Sequence, residues 1–241
     1  MMKHEFYYTS RDSVTKIHAI EWLPDREIKG VLQICHGMVE YIDRYDEFAE
    51  FMSEHGYYVV GHDHLGHGKS VADEEDYGYF PKESGNEYVV GDIHTLRRKT
   101  EKKYPGIPYF MLGHSMGSFL LRQYLGLYGD GISGAIVMGT GSKSNLLLTA
   151  GKVLCRIIAF GKGWEYRSKL VNNMAFGGFN KKFSQETNGS DWLSRNPVNS
   201  QKYAKDPLCS FVFTVNAYYQ MFCGILAVNH QEKNGKIPKT L

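Results

Sequence analysis

The run Gly113-His114-Ser115-Met116-Gly117 constrains this chain more than any other stretch. It stands between an apolar, strand-sized segment, Tyr109-Phe110-Met111-Leu112, and a helix-like one, Ser118 to Leu125. A strand, a turn and a helix compressed into so few residues need Gly on both flanks of the serine. Only a residue without Cβ lets helix and strand close on each other. The hydroxyl is then held out of the turn, in front of a helix N-terminus whose dipole favours a developing oxyanion. That arrangement is a nucleophile elbow. A Gly-rich turn whose Ser merely caps a helix shares the five-residue pattern, and the flanking strand and helix separate the two readings.

Around this centre the apolar periodicity alternates between strand and helix. Glu5 to Thr9 and Lys16 to Trp22 read as an antiparallel pair joined by Ser10-Arg11-Asp12-Ser13. Gly30 to Cys35 and Tyr57 to Val60 are continuous apolar runs, as expected of strands buried on both faces. Tyr45, Phe48, Ala49 and Met52 recur at helical spacing, as do Val89, Ile93 and Leu96. The strand Ile132 to Met138 follows the elbow helix. Strands alternating with helices predict an α/β fold, a mostly parallel sheet flanked by helices. From Ser142 to about Val228 only helix-like segments are visible, among them Leu146 to Phe160 and Phe211 to Val228. The predicted organisation is a core over 1–141, an inserted helical cap or lid over 142–228, and an incomplete return to the core over 229–241.

Composition excludes several classes. A net charge of +2 over 241 residues gives no electrostatic footprint for nucleic acid. Cys35, Cys155, Cys209 and Cys223 are widely spaced, form no C-x-x-C and read as buried thiols of a reducing compartment. No apolar run approaches a membrane span, and Met1-Met2-Lys3-His4-Glu5 opens no signal-peptide h-region, so the expected location is cytoplasmic. Asn188-Gly189-Ser190 matches a glycosylation acceptor that a chain kept inside the cell would not use.

A serine hydroxyl is a weak nucleophile and needs a base, an acid to orient that base, and donors for the oxyanion. The expected donors are the backbone N–H of Met116, next after the serine, and that of Met38 in the turn His36-Gly37-Met38. An ordinary strand-ending turn is the competing reading of His36-Gly37. In this arrangement acid and then histidine follow the serine in the chain. The acids after Ser115 are Asp130, Glu165, Glu186, Asp191, Asp206 and Glu232, and the one histidine is His230. No strand presents His230, which reads as an exposed helix-end residue. His62-Asp63-His64-Leu65-Gly66-His67 resembles a metal-ligand run, with Gly66 where that run wants Asp, and imidazoles favour zinc. A metallohydrolase built on His62, His64 and His67 is therefore a minor alternative. A hydrogen-bonded loop beside the active site is the preferred reading, with no metal and no cofactor.

Three ordered motifs are similar to those of the monoacylglycerol lipase and lysophospholipase group of α/β-hydrolases. They are His36-Gly37-Met38-Val39-Glu40 with Arg44-Tyr45, then Gly61-His62-Asp63-His64-Leu65-Gly66-His67-Gly68-Lys69-Ser70, then Gly113 to Ser118. Asp191-Trp192-Leu193-Ser194-Arg195 and Asp206-Pro207-Leu208-Cys209 resemble cap segments of the same group. The resemblance implies hydrolysis of single-chain acyl esters through an acyl-serine, without a cofactor, under a mobile helical cap. It implies Ser115 as nucleophile, and Met38 and Met116 as oxyanion donors. It also implies two further core strands after a segment like Ile237-Pro238-Lys239, one leading to the triad Asp and one to the triad His. The sequence ends at Leu241. The expectation is that the last core strands and the acid–base pair are missing from it, leaving a sheet edge open.

Two readings follow for function. One is a serine hydrolase of monoacylglycerol- or lysophospholipid-like esters, a small-molecule acyl ester being the partner. Leu146-Leu147-Leu148, Val153, Leu154, Ile157 and Ile158 would then form a cap face for the acyl chain and for transient membrane-surface contact, or simply pack on the core. The other is a catalytically incomplete fragment or a non-catalytic acyl-ligand binder.

Overall fold

The computed structural model describes residues 1–176, 178–183 and 190–238. Glu186, Asn188 and Gly189 lie outside the described residues, as do Lys239 to Leu241. Six strands form one sheet: β1 (Met2–Thr9), β2 (Lys16–Leu23), β3 (Gly30–Cys35), β4 (Tyr57–His62), β5 (Tyr109–His114) and β6 (Gly134–Met138). Their order is β1-β2-β4-β3-β5-β6. The β1/β2 and β2/β4 pairs are antiparallel; β4/β3, β3/β5 and β5/β6 are parallel. The mostly parallel sheet expected from the strand–helix alternation is present, with the antiparallel start at one end.

Side chains alternate across this sheet as the pleat requires. Ile20, Trp22, Leu32, Ile34, Val59 and Leu112 cluster on one face with Ala49 of α1 (Asp46–Glu54). The opposite face carries Ile17, Ala19, Val31, Cys35, Tyr58, Val60, Tyr109 and Met111. It is covered by Val89, Ile93 and Leu96 of α2 (Gly85–Lys103) and by Leu120, Leu121 and Tyr124 of α3 (Met116–Tyr128). Gln33, buried inside an otherwise apolar strand, has both amide atoms satisfied. Its Nε2 donates to the Ile93 carbonyl at 3.0 Å and its Oε1 accepts from the Tyr109 hydroxyl at 2.5 Å.

Among the described residues β6 is the last strand of the sheet; α3 packs on it, but Ile136 to Met138 are exposed. Ile136 is 51% exposed although its register partner Leu112 is 6% exposed, because α1 packs on β4 and β2 and does not reach this end. Val137 and Met138 are exposed as well. These three side chains make the end of β6 an exposed apolar patch.

Beyond β6 the described residues form α4 (Asn145–Lys162), α5 (Lys169–Phe176), α6 (Pro197–Lys205), α7 (Val215–Lys233) and short 3-10 turns. α4 packs on α7, and α7 packs on α3 and α2. The boundary placed at 228/229 falls inside α7, which runs on to Lys233. Its start is Thr214, whose side chain caps the helix by accepting from the Ala217 N–H, and not Phe211. Cys35, Cys155 and Cys209 are buried, Cys223 is half-buried, and all four are free thiols.

Candidate active site

Strand β5 delivers Ser115 to a turn with φ 51° and ψ −117°, a conformation that costs a non-Gly residue on the order of 1–3 kcal/mol. Surrounding contacts hold it there. The Ser115 N–H donates to the Met138 carbonyl at the end of β6, at 2.9 Å. The Ser115 carbonyl accepts from the Ser118 N–H at 2.9 Å and from its hydroxyl at 2.5 Å. Both flanking glycines are required sterically. A Cβ on Gly117 would lie 2.1 Å from the Cys35 carbonyl oxygen, and one on Gly113 would lie 2.5 Å from the Gly117 carbonyl oxygen. Helix α3 thus starts directly against the end of β3.

That contact brings the two predicted donor segments together. Gly37 packs on the elbow so closely that a Cβ there would meet Ser115 Cβ at 3.2 Å and His114 Nδ1 at 3.3 Å. Met116 opens α3, so its N–H precedes the helical ladder. Among the described residues nothing hydrogen-bonds the Met38 N–H or the Ser115 hydroxyl. No histidine or carboxylate touches the serine oxygen. His230 is exposed at the end of α7, where it contacts Asn234. Asp206 caps a 3-10 turn through the Leu208 N–H and accepts from Tyr41, and Asp191 opens another such turn.

The strongest charge beside the elbow is one that motif reading left without a role. Glu40 is buried, and its carboxylate accepts from the Gly37 N–H at 2.5 Å, the Tyr45 hydroxyl at 3.0 Å and His114 Nδ1 at 2.9 Å. Burial pushes its pKa up, but the bond from His114 and the neighbouring imidazoles prevail and hold it below the usual carboxylate range. Its position four residues after His36 was the available signal. Cys35 also lies close, but burial drives its thiol up to about 12 and leaves it inert.

The loop that carries the histidine cluster is braced by His36 and Asp63. His36 Nδ1 donates to the Gly37 carbonyl at 2.7 Å, while its Nε2 accepts from the His64 N–H at 2.9 Å. One neutral tautomer satisfies both bonds and ties the turn after β3 to the turn after β4. Asp63 completes the tie, accepting from the N–H groups of Ile42 and Lys69 and from His18 Nδ1. His62, His64 and His67 are fully buried, and burial drives their pKa values down, His62 to about 3 and His67 to about 4. Their ring centroids are 4.9 Å (His62–His64) and 6.4 Å (His64–His67) apart. Among the described residues no group of three or more His, Cys, Asp or Glu side chains is arranged to hold a metal ion, so the metallohydrolase alternative has no geometric support.

Beside Met116, Phe80, Asn86, Phe119, Leu120, Gln123, Met221, Gly224 and Ile225 line a small, mostly apolar recess between α2, α3 and α7, with room for about one water molecule.

The Hydrolase_4 model, described as serine aminopeptidase S33, matches residues 26–241. The chain belongs to the S33 hydrolase family. Similar S33-type relatives include the monoglyceride lipase of Mus musculus, 30% identical over 196 residues, or 78% of this chain and 54% of that protein. The monoglyceride lipase homolog of monkeypox virus is 38% identical over 105 residues, 42% of this chain and 35% of that one. The chain thus spans about half the length, or less, of these relatives. A thermostable carboxyl esterase from Bacillus coagulans, solved with glycerol, superimposes with a TM-score of 0.87 at 27% identity, covering 99% of this chain and 77% of its own. A monoglyceride lipase of Saccharomyces cerevisiae matches the fold with a TM-score of 0.68 at 18% identity, covering 93% and 68%. The fold is that of the α/β-hydrolases.

Proposed function

We propose that this S33 chain is a serine hydrolase scaffold for carboxylic esters of the monoacylglycerol or lysophospholipid kind. Ser115 attacks the ester carbonyl, and the N–H groups of Met38 and Met116 take the oxyanion of the tetrahedral intermediate; its collapse breaks the ester C–O bond, leaving an acyl-serine and releasing the alcohol, which takes up the proton given up by the serine. The observation that carries this reading is the strained Ser115 turn packed directly on Gly37, with Met116 opening α3 at the next residue. The names of the lipase relatives point to the same substrate class. No cofactor is needed for this chemistry.

Without a base on the serine, the chemistry is slow. Among the described residues none is in place, so this polypeptide should show only the residual catalysis that an oxyanion hole and binding supply. A fluorophosphonate probe tests the assignment. It should modify Ser115 slowly and to one equivalent, and Ser115→Ala should abolish both labelling and hydrolysis of a monoacylglycerol. Labelling at another residue would remove Ser115 from the mechanism.

The bare serine equally favours a second reading, a non-catalytic binder of acyl ligands. Calorimetric binding of a monoacylglycerol with no product after prolonged incubation would select it.

The outer face of α4 supports transient contact with a lipid surface. Leu146, Val153, Ile157 and Phe160 lie opposite the seam Leu148, Gly151, Cys155 and Ala159 that faces α7, and Phe160 is 97% exposed. Among the described residues, the exposed Lys143, Lys162 and Lys169 near the ends of α4 form no ion pair, a pattern suited to anionic headgroups. Co-sedimentation with vesicles containing an anionic phospholipid should fall sharply in Ile157→Glu/Phe160→Glu. Equal sedimentation of the two proteins would place any contact elsewhere.

A further inference from the structure

The turn that carries Met38 contains a second strained residue. Val39 has φ 56°, in the left-handed region. A β-branched side chain is the least suited to that region, which Gly or Asn ordinarily occupies. Strain of this kind persists only where the surroundings over-determine the backbone.

Two contacts fix the turn, one at each end. At its start, the Gly37 N–H is held by the Glu40 carboxylate at 2.5 Å. At its end, the Val39 carbonyl accepts from the Tyr203 hydroxyl at 2.9 Å, across 164 residues of sequence. Met38 lies between these two fixed points. Tyr203 belongs to α6, and its ring is itself held: the Arg44 guanidinium lies over it at 5.0 Å. Beside it, the Tyr41 hydroxyl donates to Asp206 Oδ2 at 2.7 Å, just after the end of α6. Burial pushes the Tyr203 phenol pKa up, so the hydroxyl keeps its proton as a donor. Helix α6 and the turn after β3 are therefore latched by side chains running in both directions.

We propose that Tyr203 is a positioning residue whose hydroxyl, bonded to the Val39 carbonyl, keeps the 37–40 turn in its strained form. The Met38 N–H is then presented to Ser115 only while α6 is seated. The proposal rests on the reading of Met38 as an oxyanion donor. It makes the hole conditional on the helical block and not only on the core.

Hydrogen exchange by mass spectrometry on peptides spanning residues 36–45 tests it, in the full chain and in Tyr203→Phe, Val39→Gly and the double variant. Tyr203→Phe removes one hydrogen bond, so exchange in the turn should rise about tenfold, the equivalent of one such bond. Val39→Gly relieves the strain that the bond opposes, so adding Tyr203→Phe to it should change exchange by less than about twofold. An unaltered turn in Tyr203→Phe overturns the proposal. So does an equal acceleration in both backgrounds, which is what simple anchoring of α6 gives. The exchange readout needs no turnover and so stands apart from the nucleophile assignment. Fluorophosphonate labelling of Ser115 supplies the chemical arm. It should slow in Tyr203→Phe and recover in the double variant, and a rate indifferent to the turn's exchange overturns the role of Met38.

Discussion

Lowering the pH is expected to unfold this protein through four buried imidazoles. His36, His62, His64 and His67 are all fully buried, and burial is the main cause that lowers each pKa. Their folded values lie below the unfolded value near 6.5, so the unfolded chain binds more protons as the pH falls through 6.5. Their stabilisation is complete above that value and drains away down to the folded pKa values, about 4 for His67 and about 3 for His62. At about pH 5.5 the unfolded state gains between about 1 and 2 kcal/mol per histidine, on the order of 6 kcal/mol for the four. Two groups oppose this. Burial raises Asp92 to about 7, so its cost to the folded state is relieved on acidification, by about 2 kcal/mol between pH 7.5 and 5.5. For His18, the bonds to Asp63 and Glu5 outweigh burial and raise the pKa, which also favours the folded state at low pH. Glu40 and Glu5 are held below their ordinary values and weaken the fold only at lower pH still. The net loss is about 3–4 kcal/mol, a large share of a typical 5–15 kcal/mol stability. Urea unfolding followed by circular dichroism at constant ionic strength, at about pH 7.5, 6.5 and 5.5, measures it. Neither nitrogen of His62 has a partner to lose, so His62→Phe should remove about a quarter of the histidine contribution. A stability that is flat or rising on acidification would falsify the premise that these rings stay neutral in the fold.

Further outcomes follow from the same geometry. Ser115→Gly should raise stability by about 1–2 kcal/mol while eliminating probe labelling, because Gly adopts the elbow conformation without strain; a destabilised variant in thermal melts contradicts the strain assignment. Gly117→Ala forces a methyl to 2.1 Å from the Cys35 carbonyl and should cost about 3 kcal/mol or more; a melting temperature within about 2 °C of the parent shows the helix free to shift.

Core elements were legible because each carried a clean period. β3 runs from Gly30 to Cys35 as its apolar run indicates, and the paired glycines around Ser115 announced a close helix–strand crossing. Boundaries were less legible where capping chemistry competes with hydrophobicity. Phe211 and Phe213 look like helix, but Thr214 supplies the cap that starts α7, and the polar end at Asn229 to Lys233 continues it. The histidine motif gave spacing without ring directions. The bond from the His64 N–H to the His36 ring joins residues 28 apart, which spacing within the motif does not reveal. The bond between Tyr203 and Val39 joins residues with no periodic or motif relation, and a left-handed valine leaves no mark in composition.

The grip on residue 115 comes from the neighbouring strand, through the last carbonyl of β6. Strand end and reactive turn are one mechanical unit. Loosening the last β5/β6 pair reaches the hydroxyl's backbone within a single residue, so the hold between two strands sets how long the serine stays ready.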